Sequence, residues 1–467
     1  MSDRRPFRWA TTGARMLAGT LVATGFVVAV ATGVAVPWPT LTHEPVQVTA
    51  TPAPDATVLA CSGSLLALGR DAATAQSVSV AAPQAVTSGV REGDPPLAET
   101  PLQPAAPDSF VSVLRAEPDG RTRTDAAATG SSTISSDDLD GYAASACRPP
   151  TIQDSMSGGA TTTGSADILL LANPGDVPAT VEITVYGTNG PVVPPGGEVI
   201  VAPGSQRAIP IAGLALGESS PVIRVSATGA PVAASLQTSI TRTLLPGGVD
   251  LVGAIEAPEP FLAIPGVSIV DTDGTAIEAT TFIRLLSPSA DTTVSVTLLP
   301  TGSSLEGVEP FSVALTAGLP LDLDLGGQPA GEYTVIVEAG APLVGAVWQT
   351  TGFAEGADFA WYTPAPALAV PSLFATPTGP SPALAVLNPT DTDVDVAVDA
   401  VDGSSSTSVT IPAGRAARFS LRPQTVYTLD AGDAPVRAGV SFKGSGALAG
   451  FPVWSADTAA EPIVVYP

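Results

Sequence analysis

The sequence has 467 residues, which is more than one ordinary hydrophobic core supports and predicts about three domains. Hydrophobic residues make up 45% of it and charged residues only 13%, while 46 Gly and 47 Pro interrupt the chain so often that they argue against long helices and favour short strands. The 44 acidic residues outnumber the 19 basic ones, and a net charge of −25 excludes nucleic acid as a partner because it would repel the phosphate backbone.

The first predicted element is one membrane-spanning helix over residues 16–36, preceded by a basic tail over residues 1–15. Its 21 residues carry no charge and would extend about 31 Å as a helix, which matches the hydrocarbon core of a bilayer. A tryptophan on each side fits the two interfaces, and four arginines against Asp3 give the tail a charge of 4 − 1 = +3. These membrane-flanking residues are Arg4, Arg5, Arg8, Arg15, Trp9 and Trp38.

The positive flank predicts the orientation of this helix. Because positive segments stay in the cytoplasm, we expect a single-pass protein of the cell membrane with a cytoplasmic N-terminus and extracytoplasmic C-terminal domains. A cleaved signal peptide is the alternative, since Ala29 and Ala31 form an A-x-A pattern near the end of the apolar run. Arg4-Arg5 also partly matches a twin-arginine export signal, although Asp3 occupies a position where that signal favours Ser or Thr.

Residues 40–148 contain the only two cysteines, Cys61 and Cys147. An even number of cysteines in a chain that faces an oxidising compartment predicts a disulfide between them, with two unpaired buried thiols as the alternative. The hydrophobic pattern between them is thin, so we predict an irregular region of strands and loops that the disulfide clamps. A metal site in this region is disfavoured because His43 is the only histidine of the sequence.

The rest of the chain contains an internal repeat of about 100 residues. Three segments begin with an apolar run that leads into Asn-Pro or Ser-Pro, a pair that ends a strand and starts a turn. A glycine turn and then an Ala-Pro pair follow in the same order each time. The three sets of anchors are Pro174, Gly204 and Pro231; Pro288, Gly318 and Pro342; and Pro389, Gly414 and Pro435. The predicted units are 149–264, 265–370 and 371–467.

The second unit shows the strand pattern best. Its apolar and alternating runs predict seven strands in about 106 residues, the size of an immunoglobulin-like (Ig-like) sandwich. The runs are 277–286, 293–299, 311–315, 319–325, 333–338, 343–350 and 359–363. The predicted fold class is therefore all-β, with tandem Ig-like β-sandwich repeats after one N-terminal transmembrane helix. A continuous barrel or propeller is the alternative, but each unit is too long for one four-stranded blade.

This pattern resembles an uncharacterised family of actinobacterial envelope proteins with one N-terminal membrane helix and extracytoplasmic repeats that contain an Asn-Pro turn. The resemblance rests on the anchor, Cys147, Asn173-Pro174 and Asn388-Pro389, and the second unit departs from it with Ser287-Pro288. It implies a single-pass, anchored protein with Ig-like β repeats. It provides no catalytic residue to transfer.

Candidate catalytic and metal-binding groups are few. Ser/His and Cys/His nucleophile systems need a histidine base, and His43 lies outside the predicted repeats. The densest acidic cluster includes Asp391, Asp393 and Asp395, a weak calcium candidate because alternate strand residues share one face. A solvated acidic face is the favoured interpretation. We predict no catalytic residue and no cofactor, and a carboxylate-based hydrolase is the enzymatic alternative.

Five aromatic residues gather late in the second and third units. Core packing is the favoured interpretation, and a sugar-stacking platform is the alternative. They are Trp348, Phe359, Trp361, Tyr362 and Trp454.

Together these features predict a non-enzymatic structural or interaction protein of the bacterial cell envelope. It would contact the membrane through its helix and, through its repeats, other envelope proteins or cell-wall glycan. The alternative is a carbohydrate-binding or accessory subunit of a membrane glycosyltransferase system.

Overall fold

One N-terminal helix precedes an all-β body, and the all-β fold class is confirmed. The computed structural model describes residues 5–35, 48–50, 53–69, 77–270, 280–302, 309–456 and 463–465. By their contacts the residues divide into two units, one formed by 1–52 with 461–467 and the other by 53–460.

The smaller unit, 1–52 with 461–467, contains helix α1 (Arg5–Ala35) and a two-stranded antiparallel sheet of β1 (Val48–Ala50) with β34 (Ile463–Val465). The segment Thr12–Ala35 is long and apolar enough to cross a membrane, and its side chains are exposed. The hydroxyl groups of Thr20 and Thr24 donate hydrogen bonds to the backbone carbonyls four residues earlier, so these polar groups are bonded within the helix itself. Helix α1 begins at Arg5, so it includes most of the segment 1–15 that the sequence predicts as a basic tail.

The described residues of 53–148, called the N-terminal segment, form three small sheets. The sheets are β2-β7-β6, β3-β4 and β5-β8-β9, all antiparallel. The strands are β2 (Thr57–Ala60), β3 (Leu65–Leu68), β4 (Val78–Ala82), β5 (Ala85–Val90), β6 (Ala98–Pro101), β7 (Ser112–Ala116), β8 (Ala126–Ser135) and β9 (Asp140–Ala146).

The described residues between 149 and 456 form three structural repeats, each defined by its strands. The first repeat contains β10 (Gln153–Ser157), β11 (Ile168–Asn173), β12 (Ala179–Gly187), β13 (Gly190–Val192), β14 (Glu198–Val201), β15 (Ser205–Pro210), a 3₁₀ turn (Ile211–Gly213), β16 (Val222–Thr228), β17 (Ala233–Arg242) and β18 (Leu245–Val252). The second contains β19 (Glu259–Ile269), β20 (Thr281–Leu286), β21 (Thr292–Pro300), β22 (Phe311–Leu315), β23 (Leu321–Asp324), β24 (Gly331–Thr350) and β25 (Phe359–Tyr362). The third contains β26 (Ser372–Thr376), β27 (Pro382–Leu387), β28 (Val394–Ala400), β29 (Ser406–Ile411), β30 (Ala416–Ser420), β31 (Thr425–Asp430), β32 (Arg437–Gly444) and β33 (Ala447–Pro452).

The three repeats share one strand order in two antiparallel sheets. One sheet is β10-β16-β12-β14 in the first repeat, β19-β24-β21-β22 in the second and β26-β31-β28-β29 in the third. The other sheet is β15-β11-β17-β18, then β23-β20-β24-β25, then β30-β27-β32-β33. The internal repeat in the sequence is therefore a repeat of topology.

Side chains along the strands alternate between buried and exposed positions, as the alternating apolar residues of the sequence predict. In β12, Val181, Ile183 and Val185 point into the core and alternate with Glu182 and Thr184, which are more exposed. By contrast, β11 and β27 are buried along their whole length, because neighbouring parts of the protein cover the second face of their sheets. Each repeat has its own hydrophobic cluster.

The second repeat differs from its predicted strands at two points. The runs 333–338 and 343–350 belong to one continuous strand, β24, whose first part pairs with β19 and β21 and whose last part pairs with β20 and β25. Pro342 lies where β24 passes from one sheet to the other, a place where its missing N–H interrupts no ladder. Strand β19 was not predicted and crosses the boundary proposed at 264/265. The boundaries 40–148, 149–264, 265–370 and 371–467 stay predictions.

Candidate functional site

The Asn-Pro positions of the repeat are buried hydrogen-bonding centres. The Asn173 side chain donates to the carbonyls of Val177 (2.8 Å) and Val201 (3.1 Å), and its Oδ1 accepts from the N–H of Gly175 (3.0 Å). Asn388 makes the equivalent bonds to Thr392, Ile411 and Thr390. One amide side chain thus links the turn to the neighbouring strand.

In the second repeat a serine replaces this asparagine. Ser287 is fully buried like its two counterparts, but its hydroxyl makes one bond, to the carbonyl of Ala290 at 2.6 Å. The glycine anchors behave alike in all three repeats, because Gly204, Gly318 and Gly414 have φ of 60°, 76° and 64°. That left-handed backbone explains why glycine recurs there.

Four edge strands of the 53–460 unit meet at one junction. Strand β9 of the N-terminal segment contacts β18 and β33, and β25 contacts the same two, so that the four form a closed cycle. Asp358 lies at this junction with no exposed surface. Its Oδ1 accepts from the N–H of Val249 (3.2 Å), and its Oδ2 accepts from the N–H groups of Tyr142 (3.1 Å) and Leu448 (2.9 Å). One carboxyl group therefore joins three strands.

A second buried carboxyl group lies near the same junction. Asp250 accepts from the N–H of Trp361 at 2.6 Å, and burial raises the pKa of Asp250 well above its ordinary value. Burial also raises the pKa of Asp358, to about 7, against the opposing effect of its backbone hydrogen bonds. Both carboxyl groups serve as acceptors for backbone N–H groups of strands at the junction.

A cleft of about 670 Å³ opens between the first and second repeats. We call it the aromatic cleft and define it by Phe282, Trp348, Phe359, Trp361, Arg284 and Thr238. Phe282 is half-buried and stacks on Trp348, with 5.1 Å between ring centroids, and it meets Trp361 edge-on at 5.6 Å. Trp348 and Trp361 are themselves 4% and 3% exposed. The packed rings of Phe282, Trp348 and Trp361 form the apolar side of the cleft.

Arg284 fixes the two repeats together beneath this wall. Its guanidinium is 2% exposed and donates to both carboxylate oxygens of Asp322, from Nε at 2.8 Å and from Nη2 at 3.0 Å. It also donates to the carbonyls of Gly159, Ser219 and Pro221 in the first repeat. The charge of Arg284 is therefore neutralised locally and its donors are used within the protein.

Two further polar residues line the cleft from the first repeat. Asp167 accepts from the N–H groups of Ala160 (2.7 Å) and Ser239 (3.2 Å), and burial raises its pKa to about 7, against the lowering effect of those bonds and of Arg284. Thr238 is 1% exposed, and its hydroxyl has no hydrogen-bond partner among the described residues. That hydroxyl is a buried polar group without surface in the cleft.

The aromatic residues singled out in the sequence separate in the structure. Trp348, Phe359 and Trp361 come together in the cleft, where they also belong to the core cluster of the first repeat. Tyr362 points to the opposite side and packs in the core of the second repeat. Trp454 lies apart, with the Arg148 guanidinium 3.8 Å from its ring centroid.

The two predicted cysteines are joined. Cys61 and Cys147 form a disulfide that spans 86 positions of sequence, and both are buried. Of the membrane-flanking residues, Arg5, Arg8, Trp9 and Arg15 lie on α1. Arg4, Trp38 and the single histidine His43 lie outside the described residues.

The weak calcium candidate does not form a ligand cluster. Asp393 accepts from the N–H of Ala413 at 3.1 Å, and Asp395 accepts from the Thr410 hydroxyl at 2.5 Å. Asp391, Asp393 and Asp395 are all exposed. Within the described part of the chain, no group of three or more His, Cys, Asp or Glu side chains is arranged to hold a metal ion. The exposure of these aspartates agrees with a solvated acidic face.

Sequence reasoning missed Asp167, Thr238 and Arg284. The available signal for Arg284 was a lone charge in the apolar run TFIRLL, because a charge inside a buried strand needs a partner. Nothing comparable marks Thr238, because a threonine is ordinary in a strand.

Comparison with known proteins supports one assignment. A search of curated proteins finds no match to this chain. A family model matches residues 103–422, which is more than half of the chain and includes the first and second repeats, the cleft and most of the third repeat. The actinobacterial source implied by the resemblance stays a prediction. The protein belongs to the family of unknown function DUF5719.

Proposed function

We propose that this protein is a non-enzymatic interaction protein of the bacterial cell envelope, held in the membrane by its N-terminal helix. The observation that carries the proposal is that the charged side chains Arg284, Asp322 and Asp167 of the aromatic cleft are bonded to other groups of the protein. Arg284 and Asp322 bond to each other, and Asp167 bonds to two backbone N–H groups. Arg284 holds the two repeats together and Asp167 is bonded within the first repeat, so these charged groups have structural partners. General acid and base catalysis needs a carboxyl group that can exchange its proton with a substrate, so this arrangement favours a binding role for the cleft.

The anchor supports the location. The segment Thr12–Ala35 has the length and apolar character of a membrane span. The disulfide between Cys61 and Cys147 fits a body that folds in an oxidising compartment. A cytoplasmic N-terminus with extracytoplasmic repeats follows from the arginines of the tail.

The anchoring half is tested by fractionation of cells that express the full chain. We expect the chain to stay in the membrane pellet after carbonate extraction and its intact mass to include residues 1–36. The paired change Val27→Arg and Val28→Arg should release it, because two charges at the centre of a span are costly, whereas Val27→Leu with Val28→Leu should not. A chain that is carbonate-soluble and lacks the helix would instead be an exported protein with a cleaved signal.

The interaction half is tested by affinity capture after crosslinking in intact cells. The full chain should recover the same protein or glycan in independent preparations, and the recovery should fall when the body is unfolded by Asp358→Ala. Capture of no reproducible protein or glycan would contradict the proposed function.

The second candidate function is a carbohydrate-binding or accessory subunit of a membrane glycosyltransferase system. The observation that favours it is the aromatic wall of the cleft, since flat rings suit the apolar faces of sugars. Co-purification in mild detergent should then recover a membrane glycosyltransferase. Recovery of other proteins alone would argue against this candidate.

A further inference from the structure

Strand β29 of the third repeat has an open edge. Other outer edges are covered within the protein: on β15, Gln103 of the N-terminal segment donates its N–H to the carbonyl of Gly204 and accepts from the N–H of Gln206. On β30, the carbonyl of Ala416 accepts from the N–H of Gly302 in the second repeat. Strand β29 ends its sheet, and among the described residues only β28 pairs with it. Its second side is therefore available to another strand.

The antiparallel ladder determines which backbone groups of β29 face away from the sheet. The N–H of Ala400 donates to the carbonyl of Ser405 at 2.8 Å, so these two residues form a hydrogen-bonded pair. Every second residue from Ser405 onwards is then bonded to β28, and the residues between them direct their N–H and C=O groups outward. The outward-facing residues are Ser406, Ser408 and Thr410. These groups form a template to which an extended segment adds a strand.

The edge of β29 lacks the features by which proteins usually block such pairing. Those features are short length, charged side chains and proline. The equivalent edges of the other repeats have them, because β14 is four residues long and begins with Glu198, and β22 directly follows Pro310. Strand β29 is six residues long, contains neither a charge nor a proline, and is exposed at every position before Ile411. This edge is the best suited of the three to pair with a partner.

One face of β29 continues the hydrophobic core of the repeat. Val396 of β28 is fully buried, whereas Val409, which lies opposite it on β29, is 38% exposed. A strand added beside β29 would place alternate side chains next to the open side of Val409, on the same face as the hydrophobic cluster. Apolar side chains at those positions would remove the exposed surface of Val409 from water. Alternate residues of the added segment should therefore be apolar.

The opposite face of the same sheet is acidic. Asp395, Asp399 and Asp430 lie on it, and the four strands β26, β28, β29 and β31 contain no Arg or Lys. The cations of the described part of this repeat lie in turns or on the other sheet. They are Arg415 and Arg422 in turns, and Arg418, Arg437 and Lys443 on β30 and β32.

The side chains of β29 on this acidic face are small hydroxyl groups. The Thr410 hydroxyl lies against Asp395, to which it donates at 2.5 Å. A long Lys or Arg side chain of an added strand can extend across these small groups towards the carboxylates of β28. The residues of the added segment that alternate with its apolar ones should therefore be basic.

We infer that β29 pairs with an extended segment of a partner protein in which basic residues alternate with apolar ones. The backbone of this segment adds a strand to the sheet, its apolar side chains cover Val409, and its basic side chains lie over the acidic face. None of the described strands of this chain has basic residues at alternate positions, so a second copy does not supply the segment. This inference rests on the proposed function, because it names the partner class of an interaction protein.

The test uses the full chain in phosphatidylcholine nanodiscs and a fluorescent synthetic peptide in which Lys and Val alternate. Fluorescence anisotropy should detect binding at low ionic strength, with empty nanodiscs as the baseline, and a peptide with Glu in place of Lys should not bind. Hydrogen exchange should show that the bound Lys-Val peptide protects the amides of Ser406, Ser408 and Thr410. The edges β14 and β22 should gain no protection.

A proline at the edge separates strand pairing from charge attraction. Ser408→Pro removes an outward N–H that the ladder to β28 does not use, so the melting temperature should stay close to that of the wild type. Its affinity for the Lys-Val peptide should fall at least about tenfold, because the added strand loses a backbone bond and meets the proline ring. Ser408→Ala is the matched control, since it keeps the N–H and should bind like the wild type.

A second variant leaves the backbone edge intact. Asp395→Asn with Asp399→Asn should weaken binding of the Lys-Val peptide roughly fivefold, because two exposed ion pairs are lost. If Ser408→Pro unfolds the third repeat, this variant and the exchange protection of the wild-type chain decide in its place.

Four outcomes would overturn the inference or its basis. Failure of the Lys-Val peptide to bind, or binding without protection of β29, would overturn the strand pairing, and so would equal affinities of the wild type and a folded Ser408→Pro. Sedimentation that shows a dimer which Ser408→Pro dissociates would assign the edge to a second copy instead. If crosslinked capture recovers the same partner with the wild type and with Ser408→Pro, the inference fails and the proposed function survives. Capture of no partner by the wild-type chain would overturn the proposed function itself.

Discussion

The N-terminal segment and the three repeats differ in how they bury their apolar side chains. Each repeat has a large hydrophobic cluster that its own strands mainly form, with a few residues added from neighbouring parts of the chain. The clusters of the N-terminal segment are small and several are completed by residues of the repeats. Leu65 and Ile134 pack with Val249 and Leu251 of the first repeat, and Ala127 packs with Leu373 of the third.

Hydrogen bonds show the same dependence. Buried Gln237 of the first repeat exchanges two bonds with the backbone of Leu66, and Gln206 donates to the carbonyl of Ser62. On the other side, Tyr142 donates its hydroxyl to the carbonyl of Thr378 in the third repeat. The segment therefore joins the first and third repeats, and a region with little core of its own closes the arrangement of the others.

The largest expected effect comes from the residue that joins the two regions. Asp358→Ala should lower the free energy of unfolding by about 5 kcal/mol or more, because it leaves three buried N–H groups, on β9, β18 and β33, without an acceptor. Denaturant unfolding followed by circular dichroism measures the change, and Asp358→Asn provides a milder variant that keeps one acceptor oxygen. Exposed Asp395→Ala should cost less than about 1 kcal/mol. Similar losses for both would mean that the junction does not depend on Asp358.

Removal of the disulfide should affect the two regions unequally. For a loop of 86 positions the chain-entropy estimate is about 4.5 kcal/mol, and the double change Cys61→Ser with Cys147→Ser should approach it. Hydrogen exchange should show most of the lost protection in β2, β7 and β9, since the large clusters of the repeats consist mainly of residues of the repeats. Equal loss of protection throughout 53–456 would show that the segment and the repeats unfold as one cooperative unit.

The pH response should come mainly from the repeats. Burial raises the pKa of Asp167 and of Asp358 to about 7 and that of Asp154 to about 6. Between about pH 4 and pH 7 the folded state therefore holds protons that the unfolded state has released, so stability must fall as pH rises. A single such group contributes up to about 4 kcal/mol, which is fully present below about pH 4 and lost above about pH 7.

Melting temperatures measured from pH 4.5 to 8 test this response. The midpoint should decrease steadily and level off above neutrality, and Asp358→Asn should flatten the curve because the amide does not titrate. A melting temperature that increases with pH would show that the hydrogen bonds to these carboxyl groups outweigh their burial.

Much of the fold was accessible from sequence because it depends on local patterns. The apolar run of α1, the alternation of Val181, Ile183 and Val185 and the recurrence of Gly204, Gly318 and Gly414 each reflect a constraint that acts within a few residues. The junction could not be predicted in this way, because Asp358 finds partners that are 90 to 216 positions away. The aromatic cleft also depends on which faces of two repeats meet, and no period in the sequence encodes that meeting.

The smallest effect concerns the position where the repeats themselves differ. Asn173→Ala and Asn388→Ala should each cost about 3 kcal/mol. The first change removes three side-chain hydrogen bonds and the second removes four, and each leaves two strand or turn carbonyls unsatisfied. Ser287→Ala should cost only about 1 kcal/mol, since Ser287 makes a single bond to Ala290. Denaturation midpoints of the three alanine variants measured side by side give the comparison. Equal losses at 173, 287 and 388 would show that the proline turn, and not the amide side chain, holds each repeat together.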